Sequence, residues 1–216
     1  MTLDAGLGGI VRDAVARALK RAGAPQGLCA GLLRPSDEAL WDTATQAALI
    51  WSARSGRDAT ALAQALCGAL RGEPAIGDCD AAPTGYVNIR IDDRVLMDAA
   101  LSQWDAEAGD EIPLLPAGHP MEAGPPFTRR LAALLSFGLY RQQQPDAEHR
   151  AVRRLLGRLV SARAALERGK RLPGELARLT ADFEPCHRER VLTGPLVRAV
   201  LGAARALILA YKEDGP

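Results

Sequence analysis

The segment Thr84–Ile91, TGYVNIRI, alternates as no other stretch of this chain does. Val87, Ile89 and Ile91 fall on one side, and Tyr86, Asn88 and Arg90 on the other. Alternation of this kind predicts a β-strand with one face to bury and one to display. A strand cannot stand alone, because its amides and carbonyls need partners. The chain must therefore build a sheet around this segment, and the candidate partner stretches are Gly27–Arg34 and Ala75–Asp80.

The rest of the chain reads as helix. Apolar residues make up 48% of the 216 residues, but aromatic residues only 4%, so the core rests on Leu, Ala and Val. Alanine- and leucine-rich segments favour helix. Residues 8–22 place Ile10, Val11, Ala14, Val15, Ala18 and Leu19 on one stripe, ended by Gly23–Pro25. A second helix is predicted over 36–54, with Ser36 as its N-cap and Gly56 beyond its end. A third runs from a capping Asp58 to Leu70, and a fourth begins near Asp92, behind the strand.

Residues 105–125, DAEAGDEIPLLPAGHPMEAGP, are acidic, rich in Pro and Gly, and without periodicity. They mark the domain boundary. Four further helices are predicted after it, over 126–144, 146–169, 173–187 and 193–214, the last with Pro195 in its first turn. The organisation expected is an α+β domain over 1–104, with a small antiparallel sheet and helices, a linker, and an all-α bundle over 126–216.

Charge follows the same division. Residues 1–104 hold ten basic and twelve acidic side chains, 105–125 five acidic and no basic, and 126–216 seventeen basic and nine acidic. A surplus of eight positive charges in the last segment suggests an anionic partner there, the alternative being a solvated helical surface. Cys29, Cys67, Cys79 and Cys186 are scattered without a C-x-x-C pair, which argues against zinc and for reduced thiols in a cytoplasm. No secretory signal is visible. The apolar tail LVRAVLGAARALILAY is broken by Arg198 and Arg205, too short a run to predict a membrane span.

Three longer stretches resemble the amino-terminal domain of arginyl-tRNA synthetases: VRDAVARALKRAGAP, LWDTATQAALIWSARSGRDATALAQALCGAL and AAPTGYVNIRIDDRVLMDAALSQW. The resemblance covers residues 8–104, and its most distinctive part is the strand, which stands where the family has a Pro-Gly-Phe-Ile-Asn segment. The carboxyl part, from PFTRRLAALLSFGLYR to AARALILAY with Phe183 and Arg190–Leu192 between, is similar to the DALR-type anticodon-binding domain of the same enzymes. In that family an α/β catalytic domain lies between the two modules, whereas residues 105–125 are far fewer than the roughly 100 a domain needs. The His-x-Gly-His signature is represented only by a lone His119 in a proline loop. The Lys-Met-Ser-Lys loop has no counterpart, since the only lysines are Lys20, Lys170 and Lys212.

The resemblance thus implies a synthetase-like protein without the catalytic domain: no enzyme, no cofactor, no metal, and tRNA as partner, with an arginine-specific tRNA as one candidate. Two departures stand against ordinary recognition. The family's Gly-Asp-Tyr segment reads Trp41-Asp42-Thr43, and an aromatic pair before the last helices reads Cys186-His187.

The family's exposed strand face meets the tRNA D-loop, which maps here onto Tyr86 and Asn88. A tyrosine ring can stack on an unpaired base, the amide can read a base edge, and Arg90 can meet a phosphate. The alternative places Tyr86 under a helix and Asn88 in a turn. In the bundle, Arg150, Arg153, Arg154, Arg158 and Arg168 share one helical face opposite Val152, Leu155, Leu156, Leu159 and Leu166. Arg188 and Arg190 add charge on the presumed anticodon side. Such a row can follow an RNA backbone, or it can be a solvated face with Glu148 and Glu167 interspersed.

Little points to catalysis. His119, His149 and His187 are scattered, Cys186 and His187 are adjacent and point apart, and no nucleophile signature is present. Gly6–Gly9 precede a helix but follow no strand, which is weak for a phosphate loop. Asp78, Asp80, Asp92 and Asp93 read as caps and turns. A protein-interaction scaffold docking on a separate catalytic chain is the alternative to RNA binding, and an independent enzyme is a third reading.

Overall fold

The structure, a computed structural model, describes residues 5–28, 31–33, 35, 40–104, 124–169 and 172–214. The chain forms two compact units, residues 1–96 and 97–216. Most of the acidic segment 105–125 lies outside the described residues, as does the proposed N-cap Ser36.

The first unit comprises α1 (Ala5–Arg21), β1 (Leu32–Leu33), β2 (Thr43–Thr45), α2 (Ala47–Ser55), α3 (Ala59–Leu70), β3 (Ile76–Ala81) and β4 (Val87–Ile91). Helix α4 (Asp93–Ser102) follows, and the division between units falls within it. The four strands make one antiparallel sheet in the order β1-β2-β4-β3. The alternating segment is therefore a central strand. It is shorter than expected, because Thr84–Tyr86 belong to the β3–β4 turn. There Gly85 takes a φ of +85°, and an added Cβ would stand 2.8 Å from Leu49 Cδ2, so both conformation and space require glycine.

Val87, Ile89 and Ile91 are fully buried, as expected. Helix α3 packs on β3 and β4, α1 and α2 pack on α3, and the core joins Leu62, Leu66 and Leu70 to Val11, Val15 and Trp51. Of the predicted α1 stripe, Ile10 alone is exposed. Gly6–Gly9 lie inside α1.

Among the described residues of the long helix predicted over 36–54, Thr43–Thr45 form a strand instead, and a shorter helix follows from Ala47. Thr43 and Thr45 are both buried in β2, where β-branched side chains fit the pleat. Their hydroxyls are satisfied: Thr43 Oγ1 donates to the Leu33 carbonyl at 2.9 Å, and Thr45 Oγ1 accepts from the Ala47 amide at 3.2 Å, at the start of α2. Asp42 ties the same segment to the central strand. Its amide donates to the Ile89 carbonyl at 3.0 Å and its carboxylate accepts from the Ile91 amide at 2.8 Å. The stretch around Gly27–Arg34 does supply a strand, but β1 pairs with β2 rather than with β4. Ala75–Asp80 supplies β3, the direct partner.

The later helix starts obey local rules. Asp58 accepts from the Ala61 amide at 2.7 Å, and Asp92 from the Arg94 and Val95 amides at 2.9 and 3.3 Å. Glu73, almost wholly buried, receives Arg17 at 2.7 Å and Arg21 at 2.6 Å from α1. The Arg17 hydrogen bond is the main reason its carboxyl sits below the usual range. Cys67 and Cys79 meet in the core between α3 and β3 with their sulfurs 2.7 Å apart. Burial, with the Cys67 hydrogen bond second, pushes the Cys79 thiol up to about 12.

In the second unit, α5 (Gly124–Phe137), α6 (Arg150–Glu167), α7 (Leu172–Arg188) and α8 (Gly194–Asp214) pack together. Phe127 meets Phe183 edge to face at 5.3 Å, and Leu131, Leu155, Leu159, Leu176, Val200 and Leu207 fill the core around them. Helix α5 ends seven residues earlier than expected, at Gly138 with φ +60°. Within α8, Gly194–Tyr211 is long and apolar enough to cross a membrane by length and composition, despite Arg198 and Arg205. Most of that stretch is nevertheless buried against the other helices of the unit.

Candidate nucleic-acid interface

Two surfaces carry the residues singled out from the sequence, one in each unit. On the sheet, Tyr86 lies at the turn just before β4 and is exposed, not sealed under a helix. Asn88 is in register with Ala44 of β2 and Asp80 of β3, and only 8% of its surface remains accessible. Arg90 is in register with Asp78 and reaches Asp93 at 3.4 Å. Asp78 and Asp80 are both exposed. The side of β4 that displays the Arg90 guanidinium is thus flanked by carboxylates, the Asn88 amide on it is mostly covered, and the Tyr86 ring stands at its start. Such a face presents a ring for stacking but little positive potential for a phosphate chain.

The bundle differs. Arg150 and Arg154 are exposed on the first turns of α6, and Arg188 and Arg190 are exposed where α7 ends. Arg190 takes φ +56°, the one described non-glycine residue with positive φ. These two pairs belong to the same end of the unit. His149, just before α6, places Nε2 3.4 Å from Glu189 Oε2, and the loop after α5 hydrogen-bonds to the loop before α8. There the Arg141 amide donates to the Leu192 carbonyl at 2.8 Å, and the Gly194 amide donates to the Arg141 carbonyl at 3.2 Å. Arg141 and Arg198 are exposed in the same region. None of these six arginines makes an ion pair among the described residues. Among the described residues, the carboxylates at this end are Asp146, Glu148 and Glu189, all exposed.

The other members of the predicted arginine row do not join the cluster. Arg158 is only a quarter exposed and is held by Asp182 at 2.7 Å and Glu175 at 3.6 Å, pinning α6 to α7. Arg153 is partly covered and engaged. Arg168 lies past the far end of α6, about 27 Å from Arg150 for a helix of that length. Of the Cys186-His187 pair, Cys186 is fully buried, its thiol pushed up to about 12 by burial above all, while His187 is exposed and stacks on Phe183. Among the described residues, no group of three or more His, Cys, Asp or Glu side chains is placed to hold a metal.

Arg198 enters the sequence only as a break in the apolar tail, and the helix predicted over 126–144 absorbs Phe137, Leu139 and Arg141. The signal that finds them is Gly138, directly after an apolar run, which is the usual mark of a helix end.

No curated protein and no solved structure matches the chain. Residues 9–91, from within α1 to the last residue of β4, match the family model described as the arginyl tRNA synthetase N terminal domain. That match covers less than half of the chain, and it makes the amino-terminal unit similar to the N-terminal domain of arginyl-tRNA synthetases.

Proposed function

We propose that this chain is a non-catalytic, arginyl-tRNA-synthetase-like protein that binds tRNA and delivers or senses its aminoacylated form. The amino-terminal unit meets the D-loop side, with Tyr86 as its stacking ring. The helical unit is of anticodon-binding type and grips the anticodon side through Arg150, Arg154, Arg188 and Arg190. The family match over residues 9–91 is the observation that carries this reading. The gathering of unpaired arginines at one end of the helical unit supports it, since phosphate contacts supply most of the affinity for nucleic acid.

The reading as a non-enzyme rests on the short span between the two modules, far below the size of a nucleotide-binding domain. The test is a titration of labelled tRNA at rising salt. Binding that weakens steeply with salt is the expected result, and absence of binding at low salt contradicts the proposal. A second reading is an accessory subunit that docks on a separate catalytic chain. The exposure of Phe137 and Leu139 favours it, and co-purification of a protein without nucleic acid would support it.

A further inference from the structure

Among the described residues of the helical unit, Phe137 and Leu139 are the two most exposed large apolar side chains, at 75% and 65% of their full surface. They flank Gly138, whose left-handed backbone closes α5 through hydrogen bonds from the Gly138 and Leu139 amides to the Leu135 and Leu134 carbonyls at 3.3 and 3.0 Å. Both side chains stand exposed at that closure. The loop is held firmly. Besides the two backbone bonds of Arg141, the Tyr140 ring lies so close to Gly194 that an added Cβ would meet its Cε2 at 2.9 Å. Phe137 and Leu139 are therefore presented on a fixed support, at the end of the unit where Arg141, Arg188, Arg190 and Arg198 are exposed.

We infer that Phe137 and Leu139 form a stacking platform for unpaired bases, with the surrounding arginines meeting the phosphates on either side. This rests on the RNA-binding reading above and narrows its ligand to single-stranded nucleotides. An exposed aromatic ring amid arginines suits a strand whose base faces are free. A duplex hides those faces in its own stack and would use only the charges. The fixed loop adds to affinity because little order has to be gained on binding.

Fluorescence anisotropy of the full chain with a short labelled single-stranded RNA, and with its duplex, tests this. The wild type is expected to prefer the single strand, and Phe137→Ala to lower that affinity about tenfold while leaving duplex binding unchanged. Phe137→Trp should keep the affinity, and its indole emission should be quenched on binding. Both variants change an exposed side chain, so the fold should survive. Single-strand binding by Phe137→Ala equal to wild type would overturn the platform and leave the RNA-binding reading standing. No binding of either RNA by the wild type would overturn both. Loss of a self-associated species in Phe137→Ala, with RNA affinity unchanged, would assign the pair to contact with a second copy of this chain and end the inference.

Discussion

The displayed side of β4 and the loop end of the helical bundle both offer aromatic and basic side chains, yet they differ in how those charges are answered. On the sheet, Arg90 is met by Asp93 and flanked by exposed Asp78, and Asn88 is mostly covered. At the bundle end, six exposed arginines stand against three carboxylates among the described residues, of which Glu189 approaches His149. The family match stops at β4, while the positive surface lies beyond it. Sequence likeness and electrostatic capacity are thus carried by different parts of the chain. The turn before β4 leaves the Tyr86 ring exposed; projection from helix ends lets guanidinium groups converge.

The two regions should answer differently to substitution. Gly85→Val forces a β-branched residue into positive φ against Leu49. It should destabilise the amino-terminal unit by about 3 kcal/mol in denaturant titration. Arg158→Ala leaves Glu175 and Asp182 without their shared partner and should cost about 2 kcal/mol. Arg154→Ala, one turn away and unpaired, should cost almost nothing, so equal losses would contradict the division between structural and displayed arginines.

For RNA, Arg188→Ala with Arg190→Ala should lower the slope of log affinity against log salt by about two. Tyr86→Ala should weaken binding about fivefold without altering that slope. A changed slope for Tyr86→Ala would show that the sheet face carries charge after all.

The smallest effect concerns pH. The Glu73 carboxyl is held below its ordinary value of 4.5 in the folded state. Its contribution is therefore present above pH 4.5 and lost as pH falls through the folded value. Glu73→Gln should remove that dependence, on the order of 1 kcal/mol, from acid unfolding curves. The Cys79 and Cys186 thiols, both raised to about 12, act with the opposite sign. Their stabilisation is complete below about pH 9 and lost as pH rises toward 12.

What the sequence disclosed follows from range. Local signals were legible: the alternation of Val87, Ile89 and Ile91, the caps Asp58 and Asp92, the glycine past α2, and the order of the four later helices. The β2 strand was not, because Thr43-Ala44-Thr45 is short and runs directly into helical periodicity. Only pairing with β4, more than forty residues away, decides it. The candidate site was half legible for the same reason. Arg150, Arg154, Arg188 and Arg190 were named, but their convergence depends on the ends of four helices meeting. Arg158 looked equivalent to Arg154 on a helical wheel, and the neighbouring helix gives it different partners.

The most direct measurement is the salt dependence of tRNA affinity for the wild type and for a variant with alanine at Arg150, Arg154, Arg188 and Arg190. If the bundle end grips the phosphate chain, the slope should fall by about four and most of the affinity at low salt should vanish. An unchanged slope in a folded variant would contradict the assignment of this surface to RNA.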